Sequence, residues 1–181
     1  MALTATIYNF EIDLADNDRG VYESLSLRVA RHPSESEEYL LTRVFAYALE
    51  YAPGIAFSPG GVSDPDEPTV SIRDLTGRLQ LWVEIGSPDA ARLHKASKAS
   101  PRVAVYCHKD PDQLVGRLSG ERIHRAEAIE VWAMDRRLLA GLAERLDRRM
   151  TFALSVADRD LYVSIGSDTL TARLVRYPLA R

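Results

Sequence analysis

Seven residues, Leu79-Gln80-Leu81-Trp82-Val83-Glu84-Ile85, constrain this chain more than any others. From Leu81 to Ile85 large apolar side chains occupy both parities, the pattern of a strand covered on both faces inside an α/β sheet. Glu84 breaks that pattern. An ionised carboxylate in such a strand is costly unless a cation, a lysine or a metal pairs with it. Its candidate partners, Asp66, Glu67 and Lys95, lie within the same stretch, Asp64 to Lys98. The question is whether they form a metal site or a buried ion pair.

Ahead of this strand, residues 3–14 alternate, with Tyr8, Phe10, Ile12 and Leu14 on one face. Leu25, Leu27 and Val29 alternate likewise after the turn cluster Asp16-Asn17-Asp18-Arg19-Gly20. Together they predict an antiparallel hairpin with one solvated face. Ser34 with Glu37 reads as a capping box opening a helix that runs to about Leu49. Glu38 heads the row Leu41, Phe45 and Leu49, on the covered side of that helix. A first-turn Glu is also what the helix dipole favours at an exposed position. Residues 51–68 form a Pro/Gly-rich loop (Pro53-Gly54, Pro59-Gly60-Gly61, Pro65, Pro68), of a length common in functional loops.

A short strand over 69–73 and the Glu84 strand make a second hairpin. Ser87 is expected to cap the next helix, with Pro88 at its first position, and the helix runs to Ser100 before Pro101. Arg102 to Cys107 reads as a strand reached by a β-α-β crossover, so it is expected to pair in parallel with the Glu84 strand. A short helix over 110–118, a strand over 128–132 and a helix capped by Asp135 follow. Three terminal strands close the chain, over 150–157, 161–165 and 170–175.

At 181 residues, 46% apolar and 27% charged, the chain has the length and balance of one soluble globular domain, 1–181. Its single cysteine, Cys107, allows no disulfide within the chain. No secretory leader pattern and no membrane-length apolar run is present, so a cytoplasmic protein is expected. The net charge of −3 argues against a strongly basic nucleic-acid coat. The charge is uneven, however. Residues 1–74 carry 13 acidic and 5 basic side chains, and residues 75–181 carry 13 acidic and 18 basic ones.

A hard dication such as Mg²⁺ takes carboxylate oxygens and keeps several waters. A phosphodiester nuclease uses such a metal to polarise the phosphoryl oxygen, and a lysine to stabilise charge or position water. Helical Glu38, then Asp66 and Glu67, then Glu84, then helical Lys95 stand in an order that suits this chemistry. Strand parity sets Asp66 with Val70 and Ile72, and Glu84 with Gln80 and Trp82. Hairpin register decides whether those faces coincide. Other chemistries are unsupported. His32, His94, His108 and His124 lack zinc spacing, Cys107 ends an apolar strand, and no phosphate-binding glycine motif occurs. Arg136, Arg137, Arg145, Arg148 and Arg149 are interleaved with Asp135, Glu144 and Asp147, as on a salt-bridged surface.

The opening Met1-Ala2-Leu3-x-Ala5-Thr6-Ile7-Tyr8, the junction Ala30-Arg31-His32-Pro33-Ser34-Glu35, the Asp66-Glu67-Pro68 cluster and Leu81-Trp82-Val83-Glu84-Ile85-Gly86 with Pro88-Asp89 and Lys95-Ala96 together resemble the YaeQ family of proteobacteria. The resemblance implies an α/β fold with a central mixed sheet flanked by helices. It is similar to a PD-(D/E)XK nuclease core, here at about residues 34–107, with added antiparallel strands. Asp66 and Glu84 would match the motif's two acids and Glu38 its helical acid. A standard motif places lysine two residues after Glu84, where this chain has Gly86, so Lys95 would supply the ammonium. The first expectation is therefore a Mg²⁺- or Mn²⁺-dependent phosphodiesterase acting on DNA or RNA. Its metal would be held by Glu38, Asp66, Glu67 and Glu84, and its catalytic set would be Asp66, Glu84 and Lys95. The alternative is a catalytically degenerate relative that binds nucleic acid or a protein partner.

Overall fold

The computed structural model describes residues 4–59 and 64–179. Met1-Ala2-Leu3 and Gly60-Gly61 lie outside them. The chain is of mixed α/β class, with four α-helices and two mixed sheets among the described residues. It divides into two compact units, and each sheet belongs to one of them.

The first unit holds residues 1–41 and 135–174. Its strands β1 (Thr6–Asp16) and β2 (Val21–Arg31) form the predicted hairpin, in a register that sets Phe10 opposite Leu27 and Ile12 opposite Leu25. The apolar parity is buried and the polar parity faces water, as alternation requires. Asp16 closes the turn, accepting from the backbone N–H groups of Asp18 and Arg19 and from Arg19 Nε at 2.8 Å.

Helix α4 (Arg136–Glu144) follows its Asp135 cap, which accepts from the Leu138 N–H at 2.9 Å. It is followed by β8 (Arg149–Ala157), β9 (Asp160–Ile165) and β10 (Asp168–Arg173). The sheet order is β10-β9-β8-β1-β2, and β8 joins β1 in parallel. The last expected strand, 170–175, is really two, because β11 (Val175–Pro178) pairs within the other sheet.

The first turn of α1 (Glu37–Leu49) counts with the first unit and the remainder with the second. Its cap is Ser36, whose Oγ accepts from the Tyr39 N–H at 3.1 Å. The Ser34–Glu37 capping box does not form. The Ser34 hydroxyl is bonded at 2.7 Å to Nδ1 of His32, and Glu35 Oε2 accepts from the His32 N–H.

The second unit holds residues 42–134 and 175–181. It contains β3 (Ile55–Phe57), β4 (Val70–Arg73), β5 (Leu79–Ile85), α2 (Ala90–Ala99), β6 (Val103–Cys107), α3 (Pro111–Leu118), a 3₁₀ turn at Ala126–Ala128, β7 (Glu130–Ala133) and β11. The sheet order is β11-β7-β6-β5-β4-β3. β5, β6 and β7 run parallel, and β3, β4 and β5 antiparallel.

The Glu84 strand therefore lies inside the sheet, reached and left as its sequence implies. Trp82 packs on one face with Leu93 and Ala96 of α2, Val103 and Val105 of β6, and Leu114 of α3. Helix α2 is capped by Asp89, which accepts from the Arg92 N–H at 2.8 Å, and not by Ser87. Asp110 caps α3 ahead of a first-turn proline.

Candidate functional site at the Glu84 strand

Glu84 is 4% exposed, and its cation is Arg92 of α2. Glu84 Oε1 accepts from Arg92 Nε at 2.7 Å and from the Trp82 indole Nε1 at 2.6 Å. The Trp82 bond follows from parity, since residues two apart on a strand share a face. The same guanidinium lies over the Trp82 ring, 5.8 Å from its centroid. It also donates to the Glu67 carbonyl at 2.8 Å and to the Asp64 carbonyl at 3.3 Å. One arginine thus neutralises the buried acid and fastens the segment that precedes β4.

The register explains how that segment reaches Glu84. Val70 pairs with Val83 and Ser71 with Trp82, so the Val70–Ile72 parity lies on the opposite face from Glu84. Asp66 comes before the strand begins, beyond Pro68, and strand parity does not reach it. The turn at 64–67 is placed instead by the two Arg92 bonds.

The other predicted residues pair elsewhere. Lys95 Nζ donates to Asp66 Oδ1, in an exposed ion pair. The Asp66 carboxyl is held below its ordinary range by that hydrogen bond, by the Lys95 charge and by Arg92 nearby. Glu67 pairs with Arg73 at 3.3 Å. Glu38 sits in the first turn of α1, in the first unit. Among the described residues no group of three or more His, Cys, Asp or Glu side chains stands close enough to hold a metal ion.

Gly86 has φ of 93°, a backbone conformation that L side chains rarely adopt, and its N–H donates to the Tyr106 carbonyl at 2.9 Å. A lysine at this position would be strained, so its absence has a conformational cause.

Sequence reasoning missed Arg92. The signal was present, because Arg92 is nearer to Glu84 along the chain than Lys95 is, and shares Lys95's side of the helix at a spacing of three. It also missed a network behind β5. Arg102 pairs with buried Glu50 at 2.8 Å and with Glu130 at 2.6 Å, and the Tyr106 hydroxyl donates to Glu50 at 2.7 Å. Burial raises the Glu130 carboxyl, but the Arg102 hydrogen bond and charge outweigh it and hold the group below its ordinary value. Burial together with the Glu50 charge pushes the Tyr106 hydroxyl well up.

A protein-family model described as YaeQ protein matches residues 1–174. An "Uncharacterized protein YaeQ" from Salmonella typhi is 32% identical over 178 residues, covering 98% of both chains. Its counterpart from Escherichia coli K12 is 31% identical over the same span. Two crystal structures are similar along nearly the whole chain. The YaeQ protein from Pseudomonas syringae has a TM-score of 0.84 at 31% identity, covering 95% of each chain. The YaeQ protein from Xanthomonas axonopodis pv. citri has a TM-score of 0.87 at 29% identity, covering 97% of this chain and 99% of that one.

Proposed function

The chain belongs to the YaeQ family, and from that premise we propose that it is a nucleic-acid-binding protein on a nuclease-like core that holds its ligand without a metal and without cutting it. The observation that carries this reading is the Arg92 guanidinium on Glu84. Mg²⁺ and Mn²⁺ want several oxygens in near-octahedral array. Here Glu84 Oε1 already accepts from two donors of the protein itself, and among the described residues no group of three or more His, Cys, Asp or Glu side chains stands close enough to hold a dication. A dication on that oxygen would have to expel Arg92 from a buried pair, leaving a guanidinium without its anion. The donor set therefore does not fit the metal. The cation that Glu84 needs is covalently part of α2.

The order α1, then β3 to β5, then α2 and β6 supports the nuclease-like core. Nucleic acid is favoured as the ligand by that core and by the basic residues of α2. Lys95 and Lys98 stand three residues apart, and among the described residues the ion pair of Lys95 is to an exposed aspartate that a phosphate can displace. Phosphate contacts of this kind confer affinity that falls with salt.

The test is fluorescence anisotropy with labelled single- and double-stranded DNA and RNA across a salt series, with parallel incubations in Mg²⁺ or Mn²⁺. Salt-dependent binding with intact oligonucleotides is expected. Metal-dependent cleavage that Glu84→Gln abolishes would refute the proposal. So would failure to bind any oligonucleotide, in which case a protein partner becomes the reading to pursue.

A further inference from the structure

We infer that a second basic feature of the same unit, a pocket between the end of α2 and the β4–β5 turn, is a phosphate-binding site. The pocket is open to solvent and about 460 Å³, and is lined by Arg73, Arg78, Lys98, Pro101, His124 and Arg125. Among the described residues no carboxylate lines it, although Glu67 pairs with one of its arginines, Arg73. Four formal positive charges and an imidazole thus converge from three separate stretches of chain.

Two of these groups are built in place. The Arg125 guanidinium donates to the Pro101 carbonyl at 2.9 Å, and Arg125 holds a left-handed backbone with φ of 47°, uncommon for a residue other than glycine. Arg73 donates to the Gly77 carbonyl at 3.1 Å and pairs with Glu67. The other two cations differ. Among the described residues Lys98 makes no ion pair. Arg78 has Asp74 beside it, whose carboxyl is held below its ordinary range by the Thr76 hydroxyl and the Arg78 backbone and also by the Arg78 charge, so Arg78 is partly offset.

His124 is anchored through its backbone, whose N–H donates to His94 Nδ1 at 3.0 Å, so its ring is carried to the pocket on a fixed stem. The carbonyl end of α2 points at the same place and disfavours an anion there, and Lys98 in the last turn opposes that field. Two fixed arginines with Arg78 and Lys98 around one pocket suit a phosphate oxyanion, which takes charge-assisted hydrogen bonds from several sides.

The phosphate could belong to a nucleic-acid backbone, which rests on the function proposed above, or to a free phosphate compound. Pyrophosphate and a labelled 12-mer oligonucleotide separate the two. Both are titrated, by calorimetry and by anisotropy, into wild type, Arg78→Ala/Lys98→Ala, and Lys109→Ala as an exposed basic control in the same unit, with unfolding curves to show that each variant is folded.

Pyrophosphate is expected to bind wild type and the control alike, and at least about tenfold more weakly to the double variant, the loss appropriate to removed charge-assisted contacts. A parallel loss for the 12-mer assigns the pocket to nucleic-acid backbone. An unchanged 12-mer affinity beside a lost pyrophosphate site assigns it to a free phosphate compound. No saturable pyrophosphate binding, equal affinity in wild type and double variant, or an equal fall in Lys109→Ala overturns the inference. None of these three results bears on whether the protein binds nucleic acid elsewhere.

Discussion

Replacing Arg92 by methionine keeps the apolar stem over Trp82 and removes the cation from Glu84. The buried carboxylate is left with the Trp82 indole alone. Breaking a buried pair from one side costs about 3–5 kcal/mol. The Arg92 side chain is 22% exposed, and water can reach the Asp64 and Glu67 carbonyls it releases, which places the expected loss near the lower end, about 3 kcal/mol. Glu84→Gln keeps an acceptor for the indole and should cost less, about 1–2 kcal/mol. The double variant should lose less than the sum of the two, with a coupling of about 2 kcal/mol. Both tryptophans, Trp82 and Trp132, lie in the second unit, so their fluorescence in urea reports the unfolding of that unit. A loss of 3 kcal/mol is a midpoint shift of about 1–3 M urea at ordinary m-values. A loss under about 1 kcal/mol for Arg92→Met, or a coupling near zero, would refute the claim that Arg92 carries the charge balance of the β5 carboxylate.

Four further outcomes follow from the same contacts. Gly86→Lys, which would write the missing motif lysine into the chain, is expected to lose about 1–2 kcal/mol through its left-handed backbone and to gain no nuclease activity, as read by urea unfolding and a cleavage assay. Lys95→Ala should leave the urea midpoint unchanged and let the Asp66 carboxyl titrate higher, which NMR of the side-chain carboxyl resolves. Tyr106→Phe removes a buried hydroxyl donating to Glu50 and should cost about 1–2 kcal/mol in the same unfolding assay. The Glu130 carboxyl is depressed in the folded chain, so its contribution is complete above the ordinary glutamate pKa and is lost as pH falls through the folded value. Stability measured against pH should show an acid limb that flattens in Arg102→Met.

Elements set by local chemistry were legible. The β1–β2 hairpin shows in its strict alternation, α4 in its aspartate cap, and β5 in an apolar run too dense for a one-sided strand. The caps expected at Ser34 and Ser87 are both wrong. Ser36 and Asp89 take those places, and at the first of them the Ser34 hydroxyl is already bonded to His32. Pairings between distant segments carried no local trace. The parallel β1–β8 contact and the return of β11 to β7 join segments separated by long stretches of chain.

The site was legible in its demand and not in its supply. An acid in an apolar strand requires a cation, and Glu84 could be singled out on that ground. Which cation depends on how α2 is rotated over β5. A cap at Asp89 sets that helix so that Arg92, and not Lys95, meets Glu84, while Lys95 falls one turn further out onto Asp66. The departure from the motif at Gly86 was legible, but its conformational cause was not, since residue type only hints at backbone conformation.

We propose that Arg92, and not a metal, is the counter-cation of Glu84. Calorimetric titration of Mg²⁺ and Mn²⁺ into wild type, Glu84→Gln and Glu84→Ala tests this most directly. The same weak, non-saturating heat in all three is predicted. A saturable heat in wild type that disappears in both Glu84 variants would contradict it.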